Sequence, residues 1–301
     1  MHHNPLSTYL LETQKLFTKA KSNNNPAKYL FDNGARTLLF NAQAIGRILY
    51  AINNEEHRKF LKSIKKIEDT LGIIDYYVTL QKLATTKNKP AFDECSKKIE
   101  KNYSKLNKRL LKKDFYAKLL ADYSNPKKIN FNTTVNKAFI RDFLKQELAE
   151  CESFYLKNAN QFKDIELHLH EMRRKIRWIS IYAQALNGLV QIKSGTAKYS
   201  WEKEFISETE KKSPFNKLPK NTGIKTPIEF NQKAFYALSR VILELGKLKD
   251  EGQLNEFKSH YVAKTGSSST ALKQTKLMQK ANQLLNSYFV KNKINSYLFV
   301  N

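Results

Sequence analysis

The sequence predicts an all-α protein built from antiparallel helical bundles, and two observations carry that prediction. Apolar residues recur at alternating spacings of three and four along most of the chain, the period of a helix laying one stripe on a core. Turn chemistry is sparse: nine Gly and seven Pro in 301 residues are few for an all-β chain, whose turns recur about every ten residues. The 41% hydrophobic content is enough for one large core or two smaller ones. No alternating strand pattern exceeds a few residues, so no sheet is expected.

Taken in order, residues 6–22 start a helix that "SNNNP" stops, and 27–52 form a second with Pro26 at its first turn. Asn53 and Asn54 cap a third over 55–84, whose first turn holds acids. Pro90 opens a fourth reaching about residue 112, and "KKDFYAKLLADY" adds a shorter piece. "SNPKK" then breaks the chain and marks a boundary between halves. Helices follow at 134–160 and 163–193. The stretch 194–227 is irregular, with a short helix expected over Trp201–Glu210, and helices resume at 228–249, 252–263 and 270–291. Short connections between such helices favour bundles.

The net charge of +25 opposes compactness through self-repulsion and points to a polyanionic partner or to a solubility role. The candidates are nucleic acid, an anionic membrane surface and an inorganic polyanion. Two distant cysteines, Cys95 and Cys151, argue against a disulfide framework or thiolate zinc site. The start "MHHNPLSTYLLETQ" lacks the basic beginning and apolar run of a signal peptide, and no apolar run is long enough to span a bilayer. The expectation is a soluble cytoplasmic protein with no membrane insertion.

The charge is arranged in rows. In "IELHLHEMRRKIRWISIYAQAL", residues 165–186, the stripe Ile165, Leu169, Met172, Ile176, Ile179, Ala183, Leu186 and Val190 faces a core. His170, Arg173 and Arg177 follow one residue later, about 100° around the axis, with Arg174 beside them. Lys98, Lys101, Lys105, Lys108 and Lys112 form a continuous row, with Arg109 next to it, along the stripe Ile99, Tyr103, Leu106 and Leu110. Lys59, Lys62 and Lys66 run beside Leu61, Ile64, Ile67, Leu71 and Ile74, and Lys273, Lys276 and Lys280 form a fourth row. Like charges at these spacings cost an isolated helix a few tenths of a kcal/mol per pair, at about 0.2–0.5. Rows of this kind, each bordering a core stripe, suit a linear anion lying across several helices.

Two segments echo each other. "IEDTLGIIDYYVTLQKL" (67–83) and "VILELGKLKDEGQLNEF" (241–257) share Leu-Gly, at Leu71-Gly72 and Leu245-Gly246, followed by Asp75 or Asp250. A glycine within a helix costs about 1 kcal/mol against alanine, so its recurrence argues for a close helix approach and for two related halves. These residues resemble the CHAD (conserved histidine α-helical) domain. "DIELHLHEMRRKIRW" is similar to the histidine–arginine helix of its second repeat, with Leu169-His170, then Arg173 and Arg177. "LGKLKD", "LGIIDYYVTL" and "LLKKDFYAKLLADY" are similar to other segments in the family's order, and the resemblance touches most of 27–291.

The resemblance implies two pseudo-symmetric bundles, repeat 1 over 1–125 and repeat 2 over 126–301 with an insertion near 194–227. Together they would make one CHAD-like domain whose basic groove binds inorganic polyphosphate, with a location at polyphosphate granules. The basic rows and the resemblance together give the expected contacts: His170, Arg173, Arg174, Arg177, Arg36, Lys62, Lys66, Lys98, Lys101, Lys105, Lys108, Lys112, Lys273, Lys276 and Lys280. Three departures stand out. Asn33 occupies the place of the first-repeat histidine, Trp178 and Ser180 replace later basic residues, and the region after Lys193 is long for the family.

Catalysis has no visible home. His168 and His170 lie two apart, on different sides of a helix, unlike an i, i+4 zinc pair. "ETEKK" (208–212) matches a Glu-x-Glu-x-Lys signature only formally, outside any strand context, and no phosphate loop or nucleophile elbow is present. The expected function is non-catalytic polyanion binding without a cofactor or metal. The rivals are a nucleic-acid binder using some of the 15 Tyr and a helical scaffold with no anion ligand.

Overall fold

The computed structural model describes residues 3–52, 57–83, 89–112, 130–158, 162–213, 216–221, 223–261 and 267–300, without the side chains of 83, 258–261 and 267–272. The expected caps Asn53 and Asn54, the break at 124–128 and most of the segment before it lie outside these residues. The chain divides into two compact units after Phe131, where the sequence placed the division at 125. No helix among the described residues is long and apolar enough to cross a membrane.

The first unit is all helix among its described residues. Helix α1 is Pro5–Lys21, opened by Asn4, whose side chain accepts from Leu6 N. Its buried face, Leu6, Leu10, Thr13 and Phe17, packs chiefly on the helix Ala35–Ile52. The sequence predicts one helix over 27–52, but the chain forms α2, Pro26–Asp32, and α3, Ala35–Ile52. The break falls at Gly34, whose φ of 72° places it in the left-handed region that glycine tolerates best. Asn107, from much later in the chain, caps α2 by accepting from Ala27 N at 2.7 Å and donating to Asn25 Oδ1 at 2.9 Å.

Helices α4, Arg58–Leu83, and α5, Lys89–Leu110, are antiparallel and pack along most of their length. Gln81 donates to Ser96 Oγ at 2.6 Å, and Arg109 Nη1 donates to the Lys66 carbonyl at 2.9 Å. Between them lie Ile64, Ile67, Leu71, Ile74, Cys95, Ile99 and Leu106, all buried. Helix α3 comes close to α4 at Gly46, where a Cβ would stand 2.9 Å from Leu61 Cδ2.

The second unit starts with α6, Thr134–Lys157, capped by Thr133. A π-helical turn, Ile165–His170, leads into α7, Glu171–Ala185. All eight residues of the predicted stripe from Ile165 to Val190 are buried. The helix, however, ends eight residues before the expected end at 193. Asn187 and Gly188 take φ values of 46° and 93°, and strand β1, Val190–Lys193, follows. It pairs in parallel with β2, Ile228–Asn231, and Phe230 forms an antiparallel bridge with Phe299. The expectation of no sheet is thus corrected. Strands of four residues are too short to show an alternating pattern, and pairing with a distant segment holds them together.

The short helix expected at 201–210 is two helices, α8, Glu202–Phe205, and α9, Glu208–Lys212, because Ser207 turns extended and caps the second. Helix α10, Gln232–Tyr261, is one continuous helix where two were expected. It runs through Gly252 because the missing side chain admits Ile165: a Cβ there would lie 2.5 Å from Ile165 Cδ1. Helix α11 is Ser267–Leu285, followed by a π-helical turn, Asn286–Lys291, and a 3-10 turn, Ile294–Tyr297.

The turn at Gly188 is the most exacting backbone position in this unit. Besides its positive φ, an added Cβ would stand 2.8 Å from the Lys220 carbonyl oxygen, a backbone atom that cannot rotate away. Gly188→Ala is expected to cost about 2 kcal/mol or more in urea unfolding. An unchanged midpoint would show that the turn relaxes freely.

Candidate functional site

The α4–α5 hairpin carries the densest arrangement of predicted site residues. At 100° per residue, Lys98, Lys101, Lys105, Lys108 and Lys112 fall within about 80° of arc on α5 and its last turn, beside Arg109. Lys59, Lys62 and Lys66 fall within about 60° on α4 by the same geometry. The bond from Arg109 to the Lys66 carbonyl spans from one row to the other, so both occupy the same side of the hairpin.

All of these lysines except the half-buried Lys98 are exposed. Lys98 lies 3.4 Å from Glu94. Among the described residues, the ammonium groups of Lys59, Lys62, Lys66, Lys101, Lys105, Lys108 and Lys112 have no ion-pair partner. Asp69, three residues after Lys66, is taken by Lys65 at 2.6 Å.

Arg36 is placed differently. Its Nε donates to Glu68 Oε1 at 2.9 Å and its Nη1 to Asp75 Oδ2 at 2.7 Å. Its guanidinium stands 5.3 Å from the centre of the Phe40 ring. The side chain lies across α4 at Gly72, where a Cβ would be 2.9 Å from its Nη2. Two carboxylates offset this cation, so it ties α3 to α4 and presents little net charge to an anion. A signal was present in the sequence: Ile64, Glu68, Leu71 and Asp75 share one helical spacing, which inserts acids into an apolar stripe.

In the second unit, Arg173 repeats part of this arrangement. A Cβ on Gly246 would stand 2.9 Å from Arg173 Nε, so the glycine of each Leu-Gly pair makes room for an arginine from a neighbouring helix. The echo in the sequence therefore has a steric cause in both units. Beside it, Asp250 pairs with Lys249 at 2.7 Å. His170 Nδ1 lies 3.1 Å from Glu166 Oε2, and Gln253 donates to Glu166 Oε1 at 2.5 Å. The hydrogen bond with His170 is the largest influence on Glu166; it outweighs partial burial and, helped by Gln253, holds the carboxyl at about 2. Arg174 pairs with Glu171 at 2.7 Å, and Arg177 is half-buried. The row on this helix is thus largely engaged with its own surroundings.

Lys273, Lys276 and Lys280 are exposed on α11 and form no ion pair among the described residues. His168 is structural: its Nδ1 accepts from Asp164 N at 3.2 Å, and its ring stacks on Phe162. In "ETEKK", Glu208 is exposed and pairs with Lys211, whereas Glu210 is buried under Arg240. The two carboxylates point to different environments and make no common site.

These features define an all-α protein whose first unit bears, along a helical hairpin, a face of lysines mostly without ion pairs among the described residues. No family model, curated protein or solved structure compared with the chain matches it. Sequence reasoning set Arg109 beside the lysine row without assigning it a role, and its position between two rows required the hairpin pairing to become visible.

Proposed function

We propose that this protein binds inorganic polyphosphate, or a similar linear polyanion, without catalysing its turnover. The observation that carries the reading is the set of exposed lysines on one side of α4 and α5 that, Lys98 apart, have no ion pair among the described residues. Like charges held this close repel one another, and an anion that bridges them removes that repulsion while releasing its own counterions. The resemblance to the CHAD domain supports the same ligand class, and the glycine–arginine packing found in each unit supports a duplicated origin. The reading places the protein in the cytoplasm, with polyphosphate granules as its site of action.

Relative to the family pattern, the contacts shift. Arg36, His170 and Arg174 have acidic partners, so lysines Lys62, Lys66, Lys101, Lys105, Lys108 and Lys112 take the larger share of the binding.

Competition and salt titration test the proposal together. Long-chain polyphosphate is expected to displace bound RNA at equal phosphate concentration. The logarithm of affinity is expected to fall linearly with the logarithm of salt, by about 0.7 per neutralised phosphate for a single-stranded chain. RNA displacing polyphosphate would replace this reading with nucleic-acid binding. Absence of binding to either at physiological salt would leave a helical scaffold.

A further inference from the structure

The two lysine rows are staggered, and the stagger has a consequence for ligand shape. Because Lys66 lies beside Arg109 and Gln81 beside Ser96 in an antiparallel pair, α4 runs from Lys66 to Lys59 in the direction in which α5 runs from Lys98 to Lys112. The α5 row therefore reaches the Arg109 junction and continues along α4. At 1.5 Å per residue, Lys98 to Arg109 spans about 16 Å and Lys66 to Lys59 about 10 Å, together a line of about 27 Å.

Arg109 occupies the junction. One of its five N–H donors is committed, to the Lys66 carbonyl, and the other four have no partner among the described residues. That bond holds the guanidinium at the junction, and a planar fork matches two oxygens of one phosphoryl group in a way that a lysine ammonium does not.

We propose that the hairpin is a linear track that takes an extended, flexible polyphosphate of about 27 Å along the helices, with Arg109 as the anchoring residue at the crossing from α5 to α4. This deepens the polyanion reading and rests on it. The track selects for shape as well as charge, since a compact phosphorylated molecule of equal charge can touch only one part of it.

The test is calorimetric titration with linear inorganic polyphosphates of graded length, on the full chain and on Arg109→Lys and Arg109→Ala. Affinity per chain is expected to rise at least about tenfold between chains of about 15 Å and about 30 Å. Beyond that it should grow only with the number of equivalent positions along the chain. Arg109→Lys conserves the charge and is expected to lose about tenfold in affinity while the salt slope stays unchanged. A purely structural role for Arg109 would instead lower the melting temperature of Arg109→Lys, and its affinity would recover at low temperature where the chain is folded.

No gain in affinity past about 15 Å would overturn the track, as it would show that a patch of one or two turns suffices. Arg109→Lys binding as tightly as wild type would remove the anchor. These outcomes differ from a complete absence of polyphosphate binding at every length, which would dispose of the proposed function itself.

Discussion

Reversing Lys62, Lys66, Lys105 and Lys108 to glutamate lowers the affinity for long-chain polyphosphate by at least about a hundredfold, or ~2.7 kcal/mol. All four side chains are exposed and without ion-pair partners among the described residues. The loss therefore comes from repulsion of the ligand and not from a broken internal contact. Stability should hold, because each like-charge pair one turn apart, Lys62–Lys66 and Lys105–Lys108, becomes another like-charge pair at a similar cost to the isolated helix of about 0.2–0.5 kcal/mol.

The same reversal at Lys273, Lys276 and Lys280 is the control. These residues are equally exposed but belong to α11 in the other unit. If binding reflects total charge, both variants weaken it in proportion to the charge removed; if it reflects the hairpin face, the first variant loses far more. Equal loss per charge in a fluorescence or calorimetric titration would count against a defined site.

The second large effect is on stability. Glu210→Ala is expected to cost about 3 kcal/mol in urea unfolding. The Glu210 side chain is 1% exposed and meets Arg240 Nη1 at 2.9 Å. It also accepts from Ser207 N at 2.9 Å and from the Ser207 hydroxyl. The adjoining network runs through Asn216, which donates to the Glu210 carbonyl at 2.6 Å and accepts from Ser239. Removing the carboxylate leaves donors in a closed pocket and frees the irregular segment between β1 and β2.

The pH dependence carries the same signature. Burial works to raise the Glu210 carboxyl, but hydrogen bonds from Ser207 and Arg240 outweigh it and hold the group at about 2, below its ordinary 4.5. A depressed folded value means that the contribution is fully present above pH 4.5 and is lost as the pH falls toward 2. Glu210→Gln should therefore flatten this acid limb of the stability curve. A limb of unchanged depth would assign the acid sensitivity elsewhere, with Glu166 the next carboxylate to replace.

Much of the fold was legible in the stripes. The buried rows of α5 and α7 are those that the three-and-four spacing marks, the row of α4 differs at Leu61, which is half-buried while Phe60 is buried, and Pro26 opens a helix as its position indicates. Three features were not legible for local reasons. Gly34 breaks a helix that Gly252 leaves intact, although both are glycines in a helical pattern. What separates them is the neighbour: Gly252 is filled by Ile165, while nothing lies within 4 Å of the Cβ position at Gly34. Strands β1 and β2 gain their hydrogen bonds from each other across more than thirty residues of chain, so neither has a signal alone.

The candidate site divides in the same way. That Lys62, Lys101, Lys105 and Lys108 would stand on a flank beside a core stripe follows from spacing alone. That Arg36 would be neutralised by Glu68 and Asp75, and His170 drawn to Glu166, depends on how far each helix is rotated toward its neighbour.

By itself, the sequence determined the helical class, the buried stripes and the presence of cationic rows, because helical periodicity is a property of consecutive residues. Only the tertiary structure decided which cations remain available and that Arg109 joins two rows. Charge pairing between helices depends on distances of a few ångströms between residues far apart in the chain, and one-dimensional spacing does not encode them.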